Sequence, residues 1–180
     1  CETGKYVNAT GSGSCDSCDA GKRAAAALGS TRCVSCGIGT FSQAGAGGCT
    51  ACDAGRTTFA EGSDSCESCP AGTTAGISNV THTTVCVDCA AGKASQAGAA
   101  ECSDCEKGRY QNEKGKDSCN ACGAGKYAAN ASSITCTDCE AGKSQGQTGQ
   151  SECDDCNAGS ASPTEGATSC DSCEAGKVAA

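Results

Sequence analysis

Methionine and tryptophan are absent from this 180-residue chain, histidine occurs once and proline twice. There are three tyrosines and two phenylalanines, and Leu28 is the only leucine. Leu, Ile, Val and Phe together number 12. So few large apolar groups exclude a conventional hydrophobic core, and on that count alone the chain would be placed among disordered sequences. No apolar run is long enough to cross a bilayer, and no secretory leader pattern opens the sequence. In a chain of this composition, the missing leader leads us to expect a mature or interior part of a longer protein. A basic surface is lacking too: 13 Lys and Arg stand against 21 Asp and Glu, for a net charge of −8. That balance excludes a nucleic-acid-binding face.

Cysteine is what the chain has in excess, 21 in 180 residues. Ten pairs with two residues between them return along the chain: Cys15/Cys18, Cys33/Cys36, Cys49/Cys52, Cys66/Cys69, Cys86/Cys89, Cys102/Cys105, Cys119/Cys122, Cys136/Cys139, Cys153/Cys156 and Cys170/Cys173. A fixed period is the mark of a repeat architecture. The pairs delimit one continuous array over residues 1–180, with repeats at 1–17, 18–35, 36–51, 52–68, 69–88, 89–104, 105–121, 122–138, 139–155 and 156–172 and a partial one at 173–180. Cys1 begins the pattern that elsewhere follows each second cysteine, so it reads as half of a pair. The expectation is a window on a longer array.

Glycine marks the same register. It stands three residues after each second cysteine, at Gly4, Gly21, Gly39, Gly55, Gly72, Gly92, Gly108, Gly125, Gly142, Gly159 and Gly176. Such regularity points to a backbone demand, either a positive φ or a close chain approach. A second glycine lies four residues before the next pair in eight of ten repeats, for example Gly45, Gly98 and Gly149. Each repeat therefore reads as an extended arm, a glycine turn, a return arm and a cysteine pair. The segment Arg23–Leu28 has helix propensity and predicts at most one helical turn.

Three chemistries compete for the cysteines. Zinc knuckles need four ligands per ion, but the pairs run on without interruption, no histidine recurs and the odd Cys1 fits no four-ligand site. Dithiol redox catalysis needs one activated pair in a βαβ setting, which the sequence lacks. Structural disulfides remain, and they imply an oxidising compartment. Sequence alone does not dictate connectivity. The half-pair at Cys1 and the uniform spacing favour each second cysteine closing onto the first cysteine of the next pair. That scheme gives Cys1–Cys15, Cys18–Cys33, Cys36–Cys49, Cys52–Cys66, Cys69–Cys86, Cys89–Cys102, Cys105–Cys119, Cys122–Cys136, Cys139–Cys153 and Cys156–Cys170. It leaves Cys173 for a cysteine beyond the segment. Closing Cys15 onto Cys18 instead would make a tight ring and leave the longer segments unstapled.

Cys1-Glu2-Thr3-Gly4-Lys5-Tyr6 followed by Cys15-Asp16-Ser17-Cys18, and Cys122-Gly123-Ala124-Gly125-Lys126-Tyr127 followed by Cys136-Thr137-Asp138-Cys139, resemble the ephrin-receptor-like cysteine-rich repeat. They are also similar to the first module of tumour-necrosis-factor-receptor repeats. The resemblance implies modules stacked into elongated extracellular rods with the sequential pairing. This chain keeps two cysteines per repeat where receptor modules add more, and most of its repeats replace the aromatic, as at Arg23, Thr57 and Ala94.

Three N-x-S/T sequons begin at Asn8, Asn79 and Asn130. All fall in the turn of their repeats, the exposed position that N-glycosylation requires. His82 has no recurring partner and reads as a solvated loop residue. Glu152, Asp154 and Asp155 lack the spaced ligands of a calcium loop and read as a solvated acidic face. No metal, cofactor or catalytic constellation is expected. The expected fold is small and disulfide-rich: an elongated β-ladder, a solenoid-like rod of ten to eleven hairpin repeats of ~17 residues with little or no helix, each touching only its neighbours. The expected role is structural, in a glycosylated extracellular filament or cell-surface stalk whose partners are copies of itself. The alternative is a receptor or adhesin that binds a protein or glycan across adjacent repeats.

Overall fold

The structure, a computed structural model, describes residues 1–8, 11, 13–78 and 83–174. Among them there is no helix, and the chain forms twenty short strands paired as ten two-stranded antiparallel sheets. Each hairpin joins the residues after a first glycine to the two residues inside the next cysteine pair. Lys126–Tyr127, for instance, pairs with Thr137–Asp138, with Lys126 opposite Asp138 and Tyr127 opposite Thr137. Most strands are two residues long because glycine begins the arm and cysteine ends it.

The segment with helix propensity, for which at most one turn is expected, forms none: it is strand followed by bends. Lys22–Ala24 pairs with Cys33–Ser35, and the Ala25 amide donates to the Arg32 carbonyl at 3.0 Å. The disulfide Cys18–Cys33 draws both arms into the hairpin. That tertiary constraint outweighs the few tenths of a kcal/mol that alanine propensity supplies per residue.

The chain divides into two compact bodies. The first comprises Cys1–Val87 with Ala97–Glu101, and the second comprises Asp88–Gln96 with Cys102–Ala180. Both are built on the same contacts. Within the first, the Gly45 amide donates to the Cys18 carbonyl and the Gly62 amide to the Cys36 carbonyl, each at 2.8 Å. Within the second, Gly149 donates to Cys122 and Gly166 to Cys139, again at 2.8 Å. These bonds tie the start of one repeat to the turn of the next.

Contacts also reach one repeat further than the nearest-neighbour expectation allowed. In the first body Gly4 lies against the backbone of Gly45, and Gly21 against Gly62. In the second, Gly108 lies against Gly149, and Gly125 against Gly166. In these pairs the first glycine of a repeat packs on the second glycine of the repeat two further on, whereas Gly39 lies against Thr84 and Gly92 against Ser132. The approach requires the first glycine to lack a Cβ, which would overlap the facing backbone, whereas the facing position tolerates one, as Ser132 does against Gly92.

The core matches the composition. Its buried members are second cysteines, among them Cys36, Cys69, Cys122 and Cys139, with small or polar residues three places after the first glycine: Ala24, Ser42, Thr58, Ser95, Gln111, Ala128, Gln145 and Ser162.

Candidate functional site at the repeat junction

The recurring junction is where the chain's chemistry concentrates. The structure closes ten disulfides, Cys1–Cys15, Cys18–Cys33, Cys36–Cys49, Cys52–Cys66, Cys69–Cys86, Cys89–Cys102, Cys105–Cys119, Cys122–Cys136, Cys139–Cys153 and Cys156–Cys170. Nine of them span 13 to 15 residues and one spans 17. In the chain-entropy view, closing such a loop stabilises by roughly 3 kcal/mol. Cys173 is half-buried and carries no disulfide. Twenty cysteines committed to disulfides leave no thiolate set for zinc, and among the described residues no group of His, Cys, Asp or Glu could hold a metal ion.

In several repeats the position three places after the first glycine holds a buried polar residue that the sequence reading missed, as at Ser42, Thr58, Ser95, Gln111, Gln145 and Ser162. Each completes its hydrogen bonds locally. The Ser42 hydroxyl donates to the Lys22 carbonyl at 2.9 Å, and the Thr58 hydroxyl accepts the Gly39 amide at 2.8 Å. Gln111 bonds Ser118 and Glu113, and Gln145 bonds Glu152 and Gln147. Among the described residues no buried side-chain nitrogen or oxygen lacks a partner, as a core this small requires. The carbonyls at this position also accept the first-glycine amide of the preceding repeat: Gly108 donates to Ala128 and Gly125 to Gln145. A sequence signal existed, since the third position after the first glycine never carries a charge.

On the hairpins, the cation after the first glycine faces the residue before the second cysteine. Lys93 pairs with Asp104 at 2.6 Å, Lys126 with Asp138 at 2.5 Å and Lys143 with Asp155 at 3.0 Å. The hydrogen bond from Lys93 holds the Asp104 carboxyl below the usual carboxylate range, helped by a second bond from Ser132. The Lys143 ammonium is pushed upward mainly by its bond to Asp155. All these pairs are solvent-exposed, so they order side chains more than they stabilise the fold. Asp155 is thereby a partner of Lys143 across the hairpin, and Asp154 lies opposite Ser144.

The sequon residues Asn8 and Asn130 are exposed, whereas Asn79 and His82 lie outside the described residues. In the Asn130 sequon, Ser132 occupies the place of the second glycine and adopts its conformation, with φ of 59°. The Ser132 amide makes the junction bond to the Cys105 carbonyl at 2.8 Å.

Residues 92–133 match the family model described as tyrosine-protein kinase ephrin type A/B receptor-like. The chain is a disulfide-bonded array of cysteine-rich repeats. The matched stretch holds three first glycines, Gly92, Gly108 and Gly125, and the staple Cys105–Cys119. No curated protein matches the chain. The repeat array contains no helix, among its described residues, that is long and apolar enough to cross a membrane.

Proposed function

We propose that this repeat array is a structural element outside the cell, part of a glycosylated filament or cell-surface stalk. One observation carries the reading: the same hairpin, staple and glycine contact recur along the chain with almost no variation in length. A surface built to recognise one partner needs a few distinctive repeats, whereas a spacer or lattice needs every repeat to present the same edge. The disulfides support an oxidising, extracellular setting, and the ephrin-receptor-like stretch is of a kind found in receptor ectodomains. Exposed Asn8 and Asn130 support a sugar coat, with Asn79 as its third site.

The test is electron microscopy and native mass measurement of material from the secretory route, joined to glycopeptide mass spectrometry. The expected result is filaments or lateral bundles with glycans on Asn8, Asn79 and Asn130. A monodisperse monomer whose three asparagines are bare would overturn the proposal.

A further inference from the structure

Three shallow grooves recur in register along the second body. One is lined by Ala94, Asp104, Arg109, Ser118 and Cys119. The next is lined by Tyr110, Gly123, Lys126, Thr135 and Cys136. The third is lined by Tyr127, Glu140, Lys143, Glu152 and Cys153. Each has the same three parts. The second residue after the first glycine of one repeat forms the floor. The cation after the first glycine of the next repeat forms one wall. The cysteine that closes that next repeat, with its predecessor, forms the other.

In two of these grooves the floor is a tyrosine, and the two are consecutive. Tyr110 and Tyr127 are half-buried. Their volumes are about 210 and 170 Å³, and the groove floored by Ala94 is roomier at about 330 Å³. A half-covered tyrosine offers an apolar ring face and a polar tip.

The polar groups around the rings decide the ligand's charge. Lys126 and Lys143 are already paired with Asp138 and Asp155. Glu140 and Glu152 add carboxylates to the third groove, and the chain carries a net charge of −8. A polyanion is repelled by that field, and the cations lining both tyrosine grooves are already paired. The lysine ammoniums are donors and the carboxylates are acceptors. Hydroxyl groups, which are both, can satisfy the two together. A sugar ring presents such hydroxyls at its rim and an apolar C–H face that stacks on an aromatic ring. Equivalent sites one repeat apart fit a ligand that itself repeats, because each contact is weak alone and gains by tethering to the next.

We propose that the tandem grooves at Tyr110 and Tyr127 bind a neutral polysaccharide, one sugar ring stacking on each tyrosine. The proposal goes beyond the structural role and holds whether or not copies of the chain assemble.

The test uses the full oxidised chain with Asn8→Gln, Asn79→Gln and Asn130→Gln, so that its own glycans cannot compete. Isothermal titration would be run against neutral gluco-, manno-, galacto- and chito-oligosaccharides of increasing length, with heparin as the polyanion. A separate titration with an N-glycopeptide distinguishes a free polysaccharide from a glycan on a neighbouring copy. At least one neutral series should bind, with affinity rising as the oligomer comes to span both grooves. Tyr110→Ala and Tyr127→Ala should each weaken it by about tenfold, the scale of an aromatic contact. Tyr127→Phe keeps the ring and should retain most of the affinity, which separates stacking from misfolding. An unchanged disulfide map in each variant checks the fold directly. Absence of neutral-sugar binding, preference for heparin, or full affinity in the double alanine variant would each refute the site.

Discussion

Gly108 and Gly142 hold the same position in their repeats and share a left-handed backbone, with φ of 80° and 86°. Their surroundings differ. A Cβ on Gly108 would overlap the Gly149 carbonyl, whereas nothing lies within 4 Å of one on Gly142, because the 180 residues include no glycine turn two repeats beyond it. Alanine at either site bears the cost of left-handed backbone, about 1–2 kcal/mol. Gly108→Ala adds the cost of forcing two backbones apart, and overpacking of this kind costs a further 1–3 kcal/mol or so. The neighbouring group is main chain, so no side chain can swing aside. The loss at Gly142 should therefore be about 1–2 kcal/mol and that at Gly108 about 2–5 kcal/mol. The assay is native-state amide exchange with disulfides intact. It reads the Gly149 amide, which donates to Cys122 at 2.8 Å, and the Gly108 amide, which donates to Ala128 at 2.9 Å. At about 1.4 kcal/mol per tenfold, Gly108→Ala should speed exchange at Gly149 by tens- to thousands-fold. Gly142→Ala should leave Gly149 unchanged and speed exchange only around its own bond to Ser162. Equal effects of the two substitutions, or an unchanged Gly149 amide in Gly108→Ala, would refute packing between alternate repeats.

Replacing Cys122 and Cys136 together by alanine should remove roughly 3 kcal/mol of local stability, seen as faster exchange in residues 122–138 while distant repeats keep their protection. Global unfolding of the array by that double substitution would contradict the repeat-by-repeat account. On acidification, the contribution of the Lys93–Asp104 pair should be fully present above the unfolded carboxylate value and lost as pH falls through the lowered folded value. A carbon-detected NMR titration should place the Asp104 midpoint below about 3.9, and Ser132→Ala should move it upward. The Lys143–Asp155 pair has the opposite sign at the lysine: its contribution holds below the unfolded ammonium value and is lost as pH rises through the raised folded one. A Lys143 midpoint at or below about 10.4 would contradict that pairing.

Much of the fold could be read because the demands on it are covalent or confined to the backbone. A hairpin between a glycine turn and a cysteine pair follows from spacing alone. Both glycine series proved to need positive φ: every described member, from Gly4 to Gly166, has it. Contact between alternate repeats was not legible, because it depends on how far the chain turns per repeat. No residue type encodes that turn directly. The buried row at Ser42, Ser95, Gln111 and Gln145 was missed for a different reason. With a conventional apolar core excluded, nothing in the composition marks these positions, where a hydroxyl or amide fills the space and bonds the adjacent backbone. Ser132 shows the reverse case: a residue unsuited to left-handed backbone is held there by its junction bond to Cys105.

The staples are sequential and never overlap, so under tension the chain is a string of closed rings joined by two-residue links. Load crosses each ring through its sulfur bridge, and the turn residues carry none of it. Cys122 and Cys136 have Cα atoms 5.7 Å apart, and the link from Cys136 to Cys139 adds only about 11 Å when fully drawn out. A repeat can thus lengthen to at most about 17 Å, against about 60 Å for the same residues unstapled. A protease cut inside any ring leaves the two pieces covalently joined. Only the dipeptides inside the cysteine pairs, such as Thr137–Asp138, are places where one cut severs the chain, and those residues are the ones held in the hairpins.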